Sequence, residues 1–207
     1  MGTNLSSSLS TGYVKSLGKG EASSTNTLSL FINKTTNVKI NGVATVTSAD
    51  ILATNGVIHQ VDTVLGLANI ADHAVANPAL STLTNLLSQQ SLVPVLSGQT
   101  NAPFTVFAPS NTAFTTFENE NPGTLASLTS EQVTSVLTYH VISGANVLSN
   151  AIPSGPITTL ESGTLSITGT TITDEVSRET QIETSLVDIQ TSNGIIHVIN
   201  NVILPQL

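Results

Sequence analysis

Two nearly identical strings constrain this chain more than any other feature. One is Asn55–Leu65, read N-G-V-I-H-Q-V-D-T-V-L, and the other Asn193–Pro205, read N-G-I-I-H-V-I-N-N-V-I-L-P. Each opens on Asn-Gly, which supports a tight turn at positive φ where a Cβ would clash. In the second string Ile195, His197 and Ile199 alternate with Ile196, Val198 and Asn200, so β-branched residues fall on both faces. That pattern predicts a strand covered on both sides and central in a sheet. The strings stand 138 residues apart, too far for a solenoid repeat and about the length of one small domain. The chain therefore carries one domain's closing strand twice.

The likeness extends upstream. Asp50-Ile51 and Asp188-Ile189 each sit five residues before the Asn, and Leu28-Ser29-Leu30 corresponds to Leu165-Ser166-Ile167 with a one-residue slip. Gly12–Leu17 corresponds more loosely to Gly155–Leu160. Residues 1–66 thus match roughly 146–204 and nothing before them. The expected organisation is the C-terminal half of a preceding domain at 1–66 and a complete domain at 67–207. Met1-Gly2-Thr3 reads as an added start, with the chain beginning inside a domain.

In the first segment the pattern predicts short strands at Tyr13–Leu17, Leu28–Asn33, Asn37–Ile40, Val43–Thr47 and Gly56–Val64, with a hairpin at Asn41-Gly42. After Gly66 the period changes. Leu67, Ile70, Ala71, Ala74 and Val75 recur at helical spacing, Asn77-Pro78 can close one helix and open another, and Leu83, Leu86 and Leu87 mark a helix over Leu80–Gln90. Leu92–Leu96 reads as a short apolar turn and Phe104–Phe107 as a strand. Ser110-Asn111 offers cap oxygens for a helix carrying Ala113, Phe114 and Phe117, and Thr129 with Gln132 forms a capping box for one ending at Tyr139-His140. Strands follow. The fold class predicted for 67–207 is α+β, with helices between 67 and 140 and strands after.

Composition narrows the function classes. Charged residues make up 9%, with five Lys+Arg against 13 Asp+Glu and a formal charge of −8, so neither nucleic acid nor an anionic membrane surface is a suitable partner. Solubility rests on Ser, Thr and Asn, a composition common in secreted and surface-exposed β-rich proteins. There is no Cys, hence no disulfide framework or thiolate metal site. No apolar run approaches the ~20 residues of a membrane span. Asn4-Leu5-Ser6 and Asn33-Lys34-Thr35 fit the glycosylation acceptor pattern, a short motif that arises often by chance.

Three blocks carry a family likeness: Phe104-Thr-Val-Phe107-Ala-Pro109-Ser110-Asn111-Thr-Ala-Phe114, then Tyr139-His140, then Asn193-Gly194-Ile-Ile-His197 through Pro205. In order and spacing they resemble the fasciclin I domain family over about 67–207, and 1–66 looks like the tail of a preceding fasciclin domain. The resemblance implies a wedge-shaped β-sandwich of about seven strands with a helical layer. It also implies extracellular adhesion or matrix attachment, usually in tandem arrays, without catalysis. The implied partner is a cell-surface or matrix protein or a polysaccharide, met outside the cell, at its surface or in a periplasm. The acidic, Ser/Thr-rich composition suggests a bacterial source. In integrin-contacting animal members the family associates the pair at Tyr139-His140 with partner binding.

Each candidate site has a plainer reading. His140 at a helix-to-strand junction can cap helix carbonyls or bond a buried group such as Ser110 or Asn111. His59 and His197 occupy equivalent positions in the two copies, which argues for packing, and the four histidines have no ligand spacing. No metal or cofactor is expected. Ser110, His140 and Asp188 sketch a hydrolase triad, but there is no G-x-S-x-G elbow. Asp174-Glu175, Glu179 and Glu183 lack the Gly-bearing loop of a calcium site and read as a solvated hairpin tip. A small-ligand pocket under the helices would draw on Leu and Phe alone, with few aromatic residues to line it. An inert spacer remains as the alternative to adhesion. Residues 1–66, left with an open apolar sheet at Leu28, Leu30, Ile32, Val57, Ile58 and Val61, are expected to associate with another chain or with a second copy.

Overall fold

A computed structural model describes residues 4–207; Met1, Gly2 and Thr3, read above as an added start, lie outside the described residues. A 3₁₀ turn at Ser6–Ser8 leads into β1 (Gly12–Gly20), β2 (Ser23–Asn33), β3 (Lys39–Ile40), β4 (Ala44–Ala53) and β5 (Gly56–Val61). These five pair antiparallel in chain order. Asn41 and Gly42 have φ of 49° and 68°, and Val43 N donates to Ile40 O, the mirror-image turn that the Asn-Gly pair selects. The hairpin of β1 and β2 is longer than the apolar pattern predicts. Its tip, Ser23–Thr27 against Lys19 and Gly20, is polar and leaves no alternation to read.

The helical stretch holds α1 (Ile70–Ala76), a 3₁₀ turn at Pro78–Leu80, α2 (Ser81–Gln89), α3 (Val93–Ser97), β6 (Phe104–Pro109), α4 (Asn111–Glu120), α5 (Thr124–Ser127) and α6 (Ser130–Tyr139). The expected caps form: the Ser110 side chain accepts from Ala113 N, and Thr129 and Gln132 make the reciprocal capping box. The predicted apolar turn at Leu92–Leu96 is the short α3, opened by Pro94 in its first turn. Strands take over at Val141: β7 (Val141–Ser143), β8 (Gly155–Thr158), β9 (Thr164–Thr168), β10 (Thr171–Thr173), β11 (Glu179–Gln181), β12 (Ile189–Gln190) and β13 (Gly194–Ile199). They form two four-stranded sheets, ordered β12-β13-β6-β7 and β11-β10-β9-β8.

Strand alternation divides the core. Phe104, Val106 and Ala108 of β6, with Ile196 and Val198 of β13, pack under the helices against Ile70, Leu80, Leu83, Phe114, Phe117 and Val136. Phe107 and Ile199 point the other way, into a cluster with Tyr139, Ile142, Leu165, Ile167, Ile172 and Ile203 between the sheets. The result is the α+β sandwich with a helical layer that the sequence pattern and the family resemblance predict. β13 is central, parallel to β6 from Gly194 opposite Phe104 to Ile199 opposite Pro109, and all six of its residues are buried.

The first segment leans on the second within the same chain. Ser29 Oγ accepts from Gln190 N at 3.0 Å, Ser192 O accepts from Ala22 N at 3.0 Å, and Lys15 Nζ donates to Asp188 O at 2.5 Å. A Cβ on Gly20 would stand 2.6 Å from Ser192 Cα, so that close approach requires glycine. Tyr13 sits between Phe31 and His73, with ring centroids 4.9 and 5.7 Å away, and its hydroxyl accepts from Asn77 Nδ2. The edge of β12 is thereby capped, and part of the face expected to need another chain is covered. Leu28, Phe31 and Ile32 are buried by the chain itself, while Val57 and Val61 stay half-buried and Ile58 exposed.

Candidate functional site

Tyr139 and His140 stand where α6 hands over to β7, and both face inward. Tyr139 is fully buried; its hydroxyl donates to Thr164 O at 2.7 Å and accepts from Glu175 N at 3.1 Å. Burial pushes the phenol pKa well above its ordinary value. The His140 ring bridges two main-chain groups: Nδ1 is 2.7 Å from Val136 O, and Nε2 accepts from Ile203 N at 3.2 Å. An amide N–H can only donate, so Nε2 must be the unprotonated nitrogen and Nδ1–H the donor. Burial then lowers the His140 pKa to about 4, partly offset by the Val136 carbonyl. His140 caps a helix carbonyl as the sequence suggests, but its second partner is Ile203 rather than Ser110 or Asn111.

The other motif residues serve the framework around that pair. Phe107 stacks on the His197 ring at 5.8 Å, Phe114 is buried under the helices, and Pro109 ends β6 opposite Ile199. Asn111 Oδ1 accepts from Thr82 N while its Nδ2 donates to Pro78 O and Ser81 Oγ, which fastens α4 to the start of α2. Asn193 does more: Oδ1 accepts from Ile70 N at 3.0 Å and Nδ2 donates to Leu96 O and Gly98 O. One side chain thus ties the strand turn to both α1 and α3. At Gly194 any Cβ would overlap the Phe104 carbonyl oxygen and stand 2.9 Å from Ile70 Cδ1.

The sketched triad does not assemble. Ser110 Oγ is engaged as a helix cap, His140 as described, and Asp188 bonds a different serine. Asp188 Oδ1 and Oδ2 accept from Ser149 N and Ser149 Oγ, both at 2.7 Å. Its own N–H reaches His197 Nδ1 at 3.3 Å, and His197 Nε2–H donates to Val147 O at 2.9 Å. The serine is bonded to the acid rather than to the imidazole, and the imidazole spends its outer N–H on a carbonyl, so this is a clip and not a nucleophile–base pair. The clip fastens the segment around the Ser149–Ala151 turn onto β13. The same clip occurs in the first segment: Asp50 accepts from Ser6 N and Ser6 Oγ, Asp50 N reaches His59 Nδ1, and His59 Nε2 meets Asn4 O. Asp50 and Asp188 share a positive φ, 60° and 56°. The serines escaped sequence reasoning because they lie 143 residues apart, five more than the aspartates and histidines.

Two carboxylates of the acidic hairpin are also taken, and with Asp174 buried the hairpin is not wholly the solvated tip expected. Asp174 accepts from Val176 N, Arg178 N and Leu204 N, and Glu175 from Thr164 N and Gln206 N, which holds the Glu175 pKa low. Among the described residues no group of three or more His, Asp or Glu is placed to hold a metal ion. An apolar cleft of about 130 Å³ opens between the helices, lined by Leu86, Phe114, Leu125, Leu128 and Val133 with His140. It is well below the 300–1,000 Å³ typical of a ligand pocket. No described helix is long and apolar enough to cross a membrane.

Comparison with known proteins agrees with this framework. The chain is 38% identical over 140 residues to an uncharacterized protein of Synechocystis sp., a match spanning 67% of this chain and 98% of that protein. It is 32% identical to human periostin over 191 residues, 87% of this chain and 21% of periostin. Immunogenic protein MPB70 of Mycobacterium bovis is 33% identical over 142 residues, covering 66% of this chain and 68% of that protein. Among solved structures, a FAS1 domain pair from the insect cell adhesion molecule fasciclin I superposes with a TM-score of 0.58 at 21% identity. That superposition covers 94% of this chain and 66% of the pair. The fasciclin domain model matches residues 3–67 and again 78–205, and the chain belongs to the fasciclin domain family.

Proposed function

We propose that this chain is a non-catalytic adhesion or matrix-attachment module, acting outside the cell, at its surface or in a periplasm. Its partner is a surface or matrix protein or a polysaccharide. The observation that supports the reading is the domain-pair likeness: the fasciclin model matches two segments of the chain, and the fold resembles a domain pair from an insect cell adhesion molecule. In this reading residues 67–207 are a complete fasciclin domain and 1–66 the second half of another, with association through 1–66. Tyr139 and His140 serve the framework first, since both side chains point inward. The surface left for recognition is one of Ser, Thr and Asn rather than charge. Adhesion of the immobilised chain to cells, collagen and polysaccharide surfaces tests it. Saturable binding to one of them is expected; binding to none would favour an inert spacer. Hydrolysis in an ester and peptide substrate screen that is lost in both Ser110→Ala and His140→Ala would overturn the non-catalytic reading.

A further inference from the structure

β5 and β13 are one strand in two copies, and they meet opposite surroundings. Their equivalence rests on the repeated clip as well as on the string, since His59 and His197 hold matching partners. In the second copy Phe104 N donates to Asn193 O and Ser110 N to Ile199 O, while Gly194 O and Val198 N bond on the other side. The main chain of Ile195, His197 and Ile199 therefore faces β6. Val57, His59 and Val61 are the matching residues of β5. Among the described residues β5 pairs with β4 alone, and nothing pairs with its other edge.

Three side-chain positions mark the same vacancy. A Cβ on Gly194 would overlap Phe104, whereas a Cβ on Gly56 meets nothing within 4 Å. Asn193 is buried and bonded to α1 and α3, whereas Asn55 is exposed. Ile196 is 1% exposed and Ile58 55%. The residues that receive a neighbouring strand are all present in the first copy, without the strand. Natural edges are usually blunted by charge or proline, and Gly56–Val61 carries neither.

We propose that the free edge of β5 is a docking site for the first half of another fasciclin domain. That half would lay a strand of the F-T-V-F-A-P type, as at Phe104–Pro109, parallel to β5 with its main chain against Gly56. This is β-augmentation, in which main-chain bonds give affinity and the small glycine fixes register. A second copy of this chain is a poorer occupant. Its own Phe104–Pro109 strand already pairs with β13 on one side and β7 on the other, so an exchange uncovers as much as it covers. The proposal rests on reading residues 1–66 as the second half of a domain.

The test titrates the full chain into a fluorescent synthetic peptide with the sequence of residues 103–111, followed by anisotropy, alongside Gly56→Val. The parent chain should bind saturably, a shuffled peptide should not bind, and Gly56→Val should weaken binding at least tenfold while melting like the parent. No saturable binding, or equal binding by the variant, overturns the docking site. If Gly56→Val melts lower without peptide, the edge is already covered and the half-domain reading falls with the proposal. A concentration-dependent dimer in light scattering that Gly56→Val abolishes would assign the edge to a second copy and overturn it too. Adhesion by the same preparation is a separate readout, so the two readings can fail independently.

Discussion

His140 shows how much one side chain carries at a junction where regular structure runs out of partners. Val136 O at the end of α6 and Ile203 N beyond β13 both depend on its ring. His140→Ala strands both, and a stranded buried group costs about 1–3 kcal/mol, so the variant should melt several degrees lower before any binding changes. If it melts like the parent and loses adhesion, the ring serves recognition instead. Acid tests the neighbouring histidines. His140 and His73 titrate at about 4 in the folded chain, both through burial, and the His197 pKa is lowered for the same reason. An unfolded histidine titrates near 6.5. Between these values the unfolded chain takes up protons that the folded chain refuses. Stability is therefore full above about pH 6.5 and is lost as pH falls toward 4, by up to about 1.4 kcal/mol per pH unit for His140 and for His73. His73 differs from the others, because both of its ring nitrogens lack a hydrogen-bond partner. His73→Phe should leave melting at pH 7 nearly unchanged and make the acid loss shallower; an unchanged slope from thermal melts across pH would refute its share.

At the scale of elements, the paired strands make a controlled experiment. Gly194→Ala drives a Cβ into the Phe104 main chain, and overpacking of this kind typically costs about 1–3 kcal/mol. Gly56→Ala meets open space and should stay within about 0.5 kcal/mol of the parent. Equal effects in urea titrations would show that the two strands share an environment. The same pair shows what the sequence could and could not reveal. β13 was legible because apolar residues alternate on both faces, and the caps at Ser110 and Thr129 because their chemistry is local. The extent of β1 and β2 was not, because a polar ribbon has no periodicity. The clip serines were not, because the loop between the turn and the strand differs by five residues between copies. Neither was Asn193 as a tie between α1 and α3, since its partners lie about a hundred residues away in sequence.

At the scale of the molecule, the first segment has a foothold and an open side. Its foothold is Tyr13 between Phe31 and His73, with Gln190 N of β12 donating to the Ser29 hydroxyl of β2. Phe31→Ala empties a fully buried ring and should cost about 3–5 kcal/mol of the segment's attachment, read as earlier proteolysis at 1–66 while 67–207 stays intact. Simultaneous loss of both parts would instead mean that the chain unfolds as one unit. Among the described residues its open side is the β5 edge, on which the proposed reading of 1–66 as half a fasciclin domain turns. Native-state hydrogen exchange on the unmodified chain measures it directly. The amides of Ile195, His197 and Ile199 should exchange only with global unfolding, while those of Val57, His59 and Val61 exchange at least a hundredfold faster. Equal protection of the two sets would contradict the account.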